Sequence, residues 1–152
     1  MKRAKEFTVL VVEDDLNDIF FVKRAFAKVL LDLHLEVVTD GEEATRYLLG
    51  QGAYADRLAH PLPNLIVTDI KMPRKTGYKL VEWVKGNRRF RCIPVVMVSS
   101  SDLPEDISRS YDLGANAYMI KPTAFDAVQE LYQNIVDYWA KQCATIVVAH
   151  GD

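Results

Sequence analysis

With 152 residues, the chain is long enough for one domain with a full hydrophobic core. Its net charge of −2 argues against a protein that binds nucleic acid by neutralising phosphates, so no nucleic-acid partner is predicted. Cys92 and Cys143 lie far apart without metal-ligand spacing, which is typical of a reduced cytoplasmic protein. No apolar run approaches the roughly 20 residues of a membrane span. We therefore expect a complete cytoplasmic protein without a membrane partner.

The first third of the chain alternates strand-like and helix-like patterns. Residues 7–12 are apolar and rich in β-branched residues, which predicts a buried strand followed at once by three acids at 13–15. Apolar residues at helical spacing predict a helix over 16–30. Residues 34–39 mix apolar and polar side chains, as a half-exposed edge strand does. Asp40, with a glutamate three residues later, predicts the start of a second helix.

The middle of the chain contains a buried strand that ends in a single carboxylate. Residues 50–64 before it are rich in Gly and Pro without periodicity, which predicts a long, variable surface loop, with a loop that carries partner contacts as the alternative. Residues 65–69 are apolar without alternation until Asp69, as in strands that helices cover on both faces. A third helix is predicted to end near Gly86, a C-cap. Ligands bind beyond the carboxyl ends of such strands, so Asp69 lies where chemistry is expected.

The last third of the chain predicts two more strands and two more helices. They are a buried strand, a weak helix, a short edge strand and a strongly amphipathic helix, at 94–98, 102–113, 116–120 and 125–139. The first of these strands runs into Ser99, and the second is followed by Lys121. The apolar tail at 144–149 is predicted to add a strand or to pack on another subunit.

The alternation of about five strands with about five helices predicts an α/β fold, a flavodoxin-like doubly wound parallel sheet of five strands. The second and fifth strands have edge character, which favours the order 2-1-3-4-5. In that order the carboxyl ends of strands 1, 3 and 4 are neighbours, and strand 5 follows. The side chains gathered at this edge are then Glu13, Asp14, Asp69, Ser99 and Lys121.

The three acids at this edge predict a metal site. Converging carboxylates repel one another, and a divalent cation relieves the repulsion. Oxygen ligands without His or Cys select a hard ion, and Mg²⁺ in proteins combines one or two carboxylates with waters and a phosphate oxygen. Glu13 and Asp14 are the predicted ligands, together with Asp69 and the backbone carbonyl of Lys71. An ordinary solvated acidic sheet edge is the alternative.

A Mg²⁺ site of this kind indicates phosphoryl chemistry, because a carboxylate can accept a phosphoryl group as an aspartyl phosphate. Asp69, alone at the end of the central strand, is the candidate nucleophile. Lys121 and Ser99 would meet the phosphoryl oxygens, one as a point charge and the other as a hydrogen-bond donor.

Four motifs resemble the response-regulator receiver domains of two-component signalling. They are Val-Val-Glu-Asp-Asp, Thr-Asp-Ile-Lys-Met-Pro with Gly77 after it, Val-Ser-Ser, and Gly-Ala-Asn-Ala-Tyr-Met-Ile-Lys-Pro, at 11–15, 68–73, 98–100 and 114–122. The resemblance covers residues 7–139. It implies that a histidine kinase phosphorylates Asp69, that Glu13 and Asp14 bind Mg²⁺, and that Lys121 contacts the phosphoryl group. It also implies a switch hydroxyl, Ser99, and a switch aromatic, Tyr118.

Within this family, three features resemble the small regulators associated with bacterial phytochromes. They are Tyr54 in the long loop, Ser-Tyr-Asp-Leu at 110–113 and Asp-Tyr-Trp at 137–139. This resemblance implies a phytochrome-like sensor histidine kinase as partner and a homodimer through the last helix and tail. We predict a receiver domain at 7–140 and a C-terminal extension at 141–152, with no output domain.

Two positions depart from the usual family pattern. Lys71 stands two residues after the acceptor, where smaller or polar residues are frequent, and Thr76 stands where an acid often precedes the glycine. The prediction is a signalling protein, not an enzyme, that acts through the face of helix 4, strand 5 and helix 5. A phosphorylation-independent interaction module on the same scaffold is the main alternative. An aspartyl-phosphate hydrolase would need a second acid where Lys71 stands, and a flavin carrier would need a phosphate loop where the first three acids stand.

Overall fold

The computed structural model describes residues 7–29, 32–72 and 74–142. Its strands are β1 Phe7–Val12, β2 Leu33–Val38, β3 Leu65–Asp69, β4 Val95–Ser99 and β5 Ala117–Ile120. Its α-helices are α1 Leu16–Ala27, α2 Gly41–Leu49, α3 Gly77–Gly86, α4 Pro104–Asp112 and α5 Phe125–Val136. A 3-10 turn at Gly52–Tyr54 follows α2, and a π-helical segment at Asp137–Gln142 continues α5. None of these helices combines the length and apolarity needed to cross a bilayer.

The five strands form one parallel sheet in the order β2-β1-β3-β4-β5. The central strands β1, β3 and β4 are almost wholly buried, whereas most residues of β2 and β5 are half-buried. This contrast arises because helices cover both faces of the sheet and only its two edges approach solvent. The predicted fold class and strand order are confirmed.

The hydrophobic core forms two layers, one on each face of the sheet. Alternate residues of β1 serve the two layers, because side chains of a strand alternate between its faces. Leu10 packs with α2 and α3, while Val11 packs with α1 and α5. Full burial of each such side chain contributes about 1.5–3 kcal/mol. The two layers therefore fix the sheet, and with it the positions of the strand ends.

Polar side chains begin three of the helices. The Asp15 carboxylate accepts hydrogen bonds from the N–H groups of the first turn of α1. Asp40 accepts from the N–H of Glu43 at 2.8 Å, which confirms its predicted capping role. Thr76 accepts from the N–H of Lys79 at the start of α3. Each of these caps satisfies a backbone donor that lacks a partner within the helix.

The long connection between α2 and β3 is more ordered than a variable surface loop. The Tyr47 hydroxyl donates to the Pro61 carbonyl at 2.6 Å. The Arg57 guanidinium donates to the carbonyls of Tyr47, Leu48 and His60 at 2.9, 2.6 and 3.1 Å. Residues 50–64, called the strap below, are thus tied to α2 through backbone acceptors at the end of that helix.

Two helix ends differ from the predictions. The α3 helix includes Gly86, and Asn87 is its C-cap, with its N–H donating to Val84. The predicted last helix changes at Asp137 from α to π hydrogen bonding, so its regular part is shorter than expected. The predicted packing of the tail at 144–149 lies outside the described residues.

Candidate functional site

The carboxyl ends of the strands bring the predicted site residues to one edge of the sheet. Asp69 is the last residue of β3 and Ser99 the last of β4, while Glu13 directly follows β1 and Lys121 follows β5. The register holds the neighbouring ends level: Val12 is opposite Thr68, and Asp69 is opposite Val98. The Lys121 N–H donates to the Ser99 carbonyl at 2.7 Å, which extends the ladder beyond β5.

Three of the predicted residues form an acidic cluster. Glu13, Asp14 and Asp69 each offer a carboxylate oxygen within 4.8 Å of the others. Glu13 is buried, Asp69 is half-buried and Asp14 is exposed, so the cluster opens to solvent on one side. These hard oxygen donors, with space for water, fit a divalent cation such as Mg²⁺. Among the described residues, no other group of acids, histidines or cysteines has comparable spacing.

Asp15 lies outside this cluster, although it is adjacent in sequence. Its carboxylate is engaged in the cap of α1. A run of three acids thus has two distinct roles, because the chain turns from strand to helix within it.

Lys121 is the cation of the site. Its Nζ lies 2.9 Å from Glu13 Oε1, 2.7 Å from Asp18 Oδ2 and 3.2 Å from Asp69 Oδ2. The predictions did not include Asp18, which reaches Lys121 from the first turn of α1. An acid in the first turn of a helix interacts favourably with the helix dipole in any protein. The sequence therefore gave no sign that Asp18 also pairs with Lys121.

The charges shift the acid–base behaviour of this group. Burial raises the pKa of Glu13 to about 7, because it outweighs the attraction of Lys121 and acts with repulsion from Asp69. Burial would lower the pKa of Lys121, but the surrounding Glu13, Asp18 and Asp69 raise it above its ordinary value. The ammonium is therefore charged at neutral pH, while Glu13 takes up or releases a proton there.

A glycine at the start of α3 allows the chain to turn tightly behind Asp69. Asp69 Oδ1 accepts from the Ile70 N–H at 2.7 Å, and the Gly77 N–H donates to the Ile70 carbonyl at 2.9 Å. A Cβ atom at Gly77 would lie 2.1 Å from the Asp69 carbonyl oxygen. No other residue type fits this position without moving the backbone of the site.

The connection from β3 to α3 is also fixed from outside, by α2. Asp40 is buried, and its second oxygen accepts from the exposed Arg74 guanidinium. The Gly41 N–H donates to the Lys75 carbonyl at 3.1 Å. Burial would raise the pKa of Asp40, but its hydrogen bonds from Glu43 and Arg74 and the charge of Arg74 lower it. The connection includes Lys71, whose side chain is exposed.

The predicted switch residues lie on the β4 and β5 side of the site. Ser99 is buried, and its hydroxyl accepts from the Ser101 N–H at 3.2 Å. The Tyr118 hydroxyl donates to the Ser101 carbonyl at 2.8 Å, and its half-buried ring packs against the core. Ser101 also donates to Asp106 at 2.5 Å. One short segment after β4 thus connects the hydroxyl at the site with the aromatic ring on β5.

Sequence comparisons agree with this geometry. The response regulator receiver domain model matches residues 9–133. The chain is 31% identical over 134 residues to the probable methanogenesis regulatory protein FilR2 of Methanothrix harundinacea, which covers 88% of this chain and 83% of that protein. It is 31% identical over 131 residues to the response regulator Rcp1 of Synechocystis sp., with 86% and 87% covered.

Solved structures give the same result. The phosphorylated cyanobacterial phytochrome response regulator RcpA aligns with a TM-score of 0.88 and 29% identity, over 94% of this chain and 100% of that one. The Mn²⁺-bound form of Rcp1 aligns with a TM-score of 0.85 and 29% identity, over 93% and 99%. The predicted resemblance to receiver domains, and to the phytochrome-associated group among them, is confirmed.

Proposed function

The chain belongs to the response regulator receiver domain family, and on that premise we propose that Asp69 accepts a phosphoryl group from a sensor histidine kinase. The observation that supports this most directly is the Asp69 carboxylate, which lies between an acidic cluster and the Lys121 ammonium. A bond forms between an Asp69 oxygen and phosphorus as the phosphorus–nitrogen bond of the kinase phosphohistidine breaks. The protein then signals as a phosphoprotein rather than as an enzyme with a turnover substrate.

Mg²⁺ is the proposed cofactor. Glu13, Asp14 and Asp69, with the backbone carbonyl of Lys71, would hold it. The bound ion supplies positive charge that the phosphoryl oxygens require. The spacing of the acids and the Mn²⁺-bound form of the relative Rcp1 support a divalent ion here.

Lys121 and Ser99 complete the proposed chemistry. The Lys121 ammonium, already 3.2 Å from Asp69, offers a fixed charge to an oxygen of the incoming group. The Ser99 hydroxyl accepts from the Ser101 N–H and keeps its own proton to donate to a phosphoryl oxygen. The Tyr118 hydroxyl donates to the carbonyl of Ser101, the residue that also hydrogen-bonds Ser99. Movement of Ser99 toward the phosphoryl group therefore alters the hydrogen bond that holds the Tyr118 ring.

Exposed apolar side chains beside the site support a protein phosphodonor. Leu16 is 82% exposed, Phe20 is 53% exposed and Phe125 is 66% exposed. The centroid of the Phe125 ring lies 5.3 Å from that of Phe21, and this stacking connects the middle of α1 with the start of α5. Apolar surface of this kind next to a polar site is typical of a protein-binding face. A phytochrome-like kinase is the proposed donor because the phytochrome-associated regulators align over nearly the whole chain.

The output is proposed to run through the face of α4, β5 and α5. Leu103, Tyr111 and Ile120 are each about half exposed on this face, at 51%, 49% and 50%. The last helix, α5, and the C-terminal extension at 141–152 are the proposed homodimer contact. The receiver domain is proposed to span 7–140.

Intact mass measurement tests the proposal. The protein is incubated with Mg²⁺ and acetyl phosphate, and separately with a phosphorylated histidine kinase, beside the variant Asp69→Asn. We expect the wild type alone to gain one phosphoryl group that is stable in acid and labile in base. A wild type that gains none from either donor would favour a phosphorylation-independent interaction module. Parallel size-exclusion chromatography reports whether phosphorylation changes the oligomeric state.

A further inference from the structure

The positive charge of the chain is concentrated in one segment that begins two residues after Asp69 and continues through α3 and beyond it. Residues 71–91 hold eight basic side chains and one acid, a net of +7, whereas the whole chain has −2 and the remainder therefore −9. Seven of these cations form what we call the basic strip: Lys71, Arg74, Lys75, Lys79, Arg88, Arg89 and Arg91. Most of the strip is exposed. Such asymmetry in a nearly neutral protein indicates an anionic ligand for this surface.

A groove runs along the outer side of α3 within the basic strip. Its volume is about 500 Å³, and it is lined by Lys75, Lys79, Glu82, Trp83, Gly86 and Asn87. The spacing of these residues places them along one side of the helix. Gly86 leaves the far end of the groove open, because a side chain there would meet no other atom within 4 Å. The arginines at 88, 89 and 91 follow directly.

Some cations of the basic strip lack a partner within the domain, whereas Arg74 pairs with Asp40 and Lys75 donates to the Thr45 hydroxyl at 2.9 Å. Lys85 is different, because its ammonium donates to the carbonyls of Arg91 and Ile93 and to Asn116. Within the described chain, the exposed Lys79 and Arg88 have no ion-pair partner. Packing and hydrogen bonding within the domain therefore do not account for them.

We propose that the basic strip binds an acidic polypeptide segment of a partner protein, laid along α3. The groove follows a helix of 10 residues, so it is about 15 Å long and matches about five residues of extended chain. Lysines bind carboxylates as point charges and arginines as forks, so a segment with repeated Glu or Asp fits both kinds of cation. This surface lies on α3 and the segment that follows it, outside the α4, β5 and α5 face, and serves a different partner from the one proposed there.

Nucleic acid and membrane fit the same surface less well. Single-stranded nucleic acid uses open aromatic faces for stacking, but the Trp83 ring already contacts Phe90 at 5.7 Å and the Lys75 ammonium at 5.6 Å. Membrane binding uses apolar side chains that insert between lipids. None of the exposed large apolar side chains in the described chain lies between 71 and 91.

Fluorescence anisotropy and NMR test this assignment on the whole protein. The probe is a labelled peptide of about eight residues that alternates glutamate with serine, titrated at low and at physiological salt. We expect micromolar binding at low salt that weakens at least tenfold in the triple variant Lys79→Glu, Arg88→Glu, Arg89→Glu. Amide shifts should concentrate at Trp83, Gly86 and Asn87.

The matched control reverses three exposed cations on α1 and its C-cap, with Lys23→Glu, Arg24→Glu and Lys28→Glu. It changes the net charge equally and should leave the affinity within about twofold. Equal weakening in both triple variants would overturn the proposal, since only net charge would then matter. Tighter binding of an oligonucleotide or of anionic vesicles of matched charge would overturn it in favour of those ligands.

Discussion

The edge of the sheet that carries the acids and the strap outside α2 both contain buried polar groups, but they are arranged in opposite ways. In the strap, donors and acceptors match: Arg57 donates to three carbonyls, and the Tyr47 hydroxyl donates to a fourth. At the acidic edge, Glu13, Asp18 and Asp69 share the single ammonium of Lys121. Hydrogen bonds in which every donor has an acceptor stabilise one conformation. Three carboxylates around one ammonium leave negative charge in excess, so the site is stabilised when a further cation binds.

This difference predicts that substitutions at the acidic edge change chemistry and its pH dependence, while substitutions in the strap change stability alone. Three experiments test the contrast, beginning with the largest expected effect, and a fourth with the smallest effect concerns the backbone that follows Asp69.

Replacement of Lys121 by Met should affect both chemistry and stability. Phosphorylation by acetyl phosphate should slow about a hundredfold, because a preorganised charge is lost. The free energy of unfolding at about pH 8 should fall by about 3 kcal/mol, because Glu13 remains buried without its counter-ion. The loss should shrink at about pH 5, where Glu13 is protonated. Urea titrations at both pH values measure this, with the exposed Lys28→Met as control, and an equal loss at both would contradict the charge argument.

Replacement of Arg57 by Ala should lower the free energy of unfolding by about 2–3 kcal/mol, because three partly buried carbonyls lose their donor. Phosphorylation should keep its wild-type rate. The control is Arg46→Ala, whose exposed pair with Glu42 spans 3.9 Å and contributes about 0–0.5 kcal/mol. Urea unfolding followed by tryptophan fluorescence compares the two variants. A phosphorylation defect in Arg57→Ala would break the contrast between strap and site.

The affinity for Mg²⁺ should fall about tenfold for each pH unit below the Glu13 pKa of about 7, because the carboxylate must lose its proton to bind the ion. In the absence of metal, the free energy of unfolding depends on pH in the opposite direction to the Mg²⁺ affinity. Since the pKa of folded Glu13 exceeds its unfolded value, stability is greatest below the unfolded pKa and decreases as pH rises through 7. Calorimetric titration of Mg²⁺ across this range measures the first effect. The Glu13→Gln variant should show weak binding with little pH dependence.

The smallest expected effect concerns the connection between β3 and α3. Arg74 has a φ of +62°, in the left-handed region. Arg74→Ala loses the ion pair with Asp40 and keeps this unfavourable backbone, whereas Arg74→Gly loses only the ion pair. The glycine variant should therefore be about 1 kcal/mol more stable than the alanine variant. Thermal unfolding of the two variants measures this difference. A more stable alanine variant would show that the left-handed backbone at this position is held by the ion pair and relaxes when the ion pair is lost.

Much of this architecture could be predicted from apolar patterning, because the three buried strands carry continuous apolar runs and the edge strands do not. The site followed from it, since parallel strands align their carboxyl ends. What could not be predicted depends on side-chain direction. Asp15 faces the helix start and Asp18 faces Lys121, although both are acids within one turn. The strap was predicted as a connection, but its ordering was missed, because the hydrogen bonds of Arg57 to carbonyls three to ten residues away follow no periodic pattern.

The ion pair between Lys121 and Glu13 joins residues 108 positions apart. A chain still being synthesised holds the acids of β1 and β3 long before it holds their cation. Docking of β5 brings the Lys121 ammonium to these carboxylates, so it relieves their mutual repulsion as well as adding a strand. We therefore expect a truncated product that lacks β5 to be without the ammonium that the proposed phosphoryl chemistry uses.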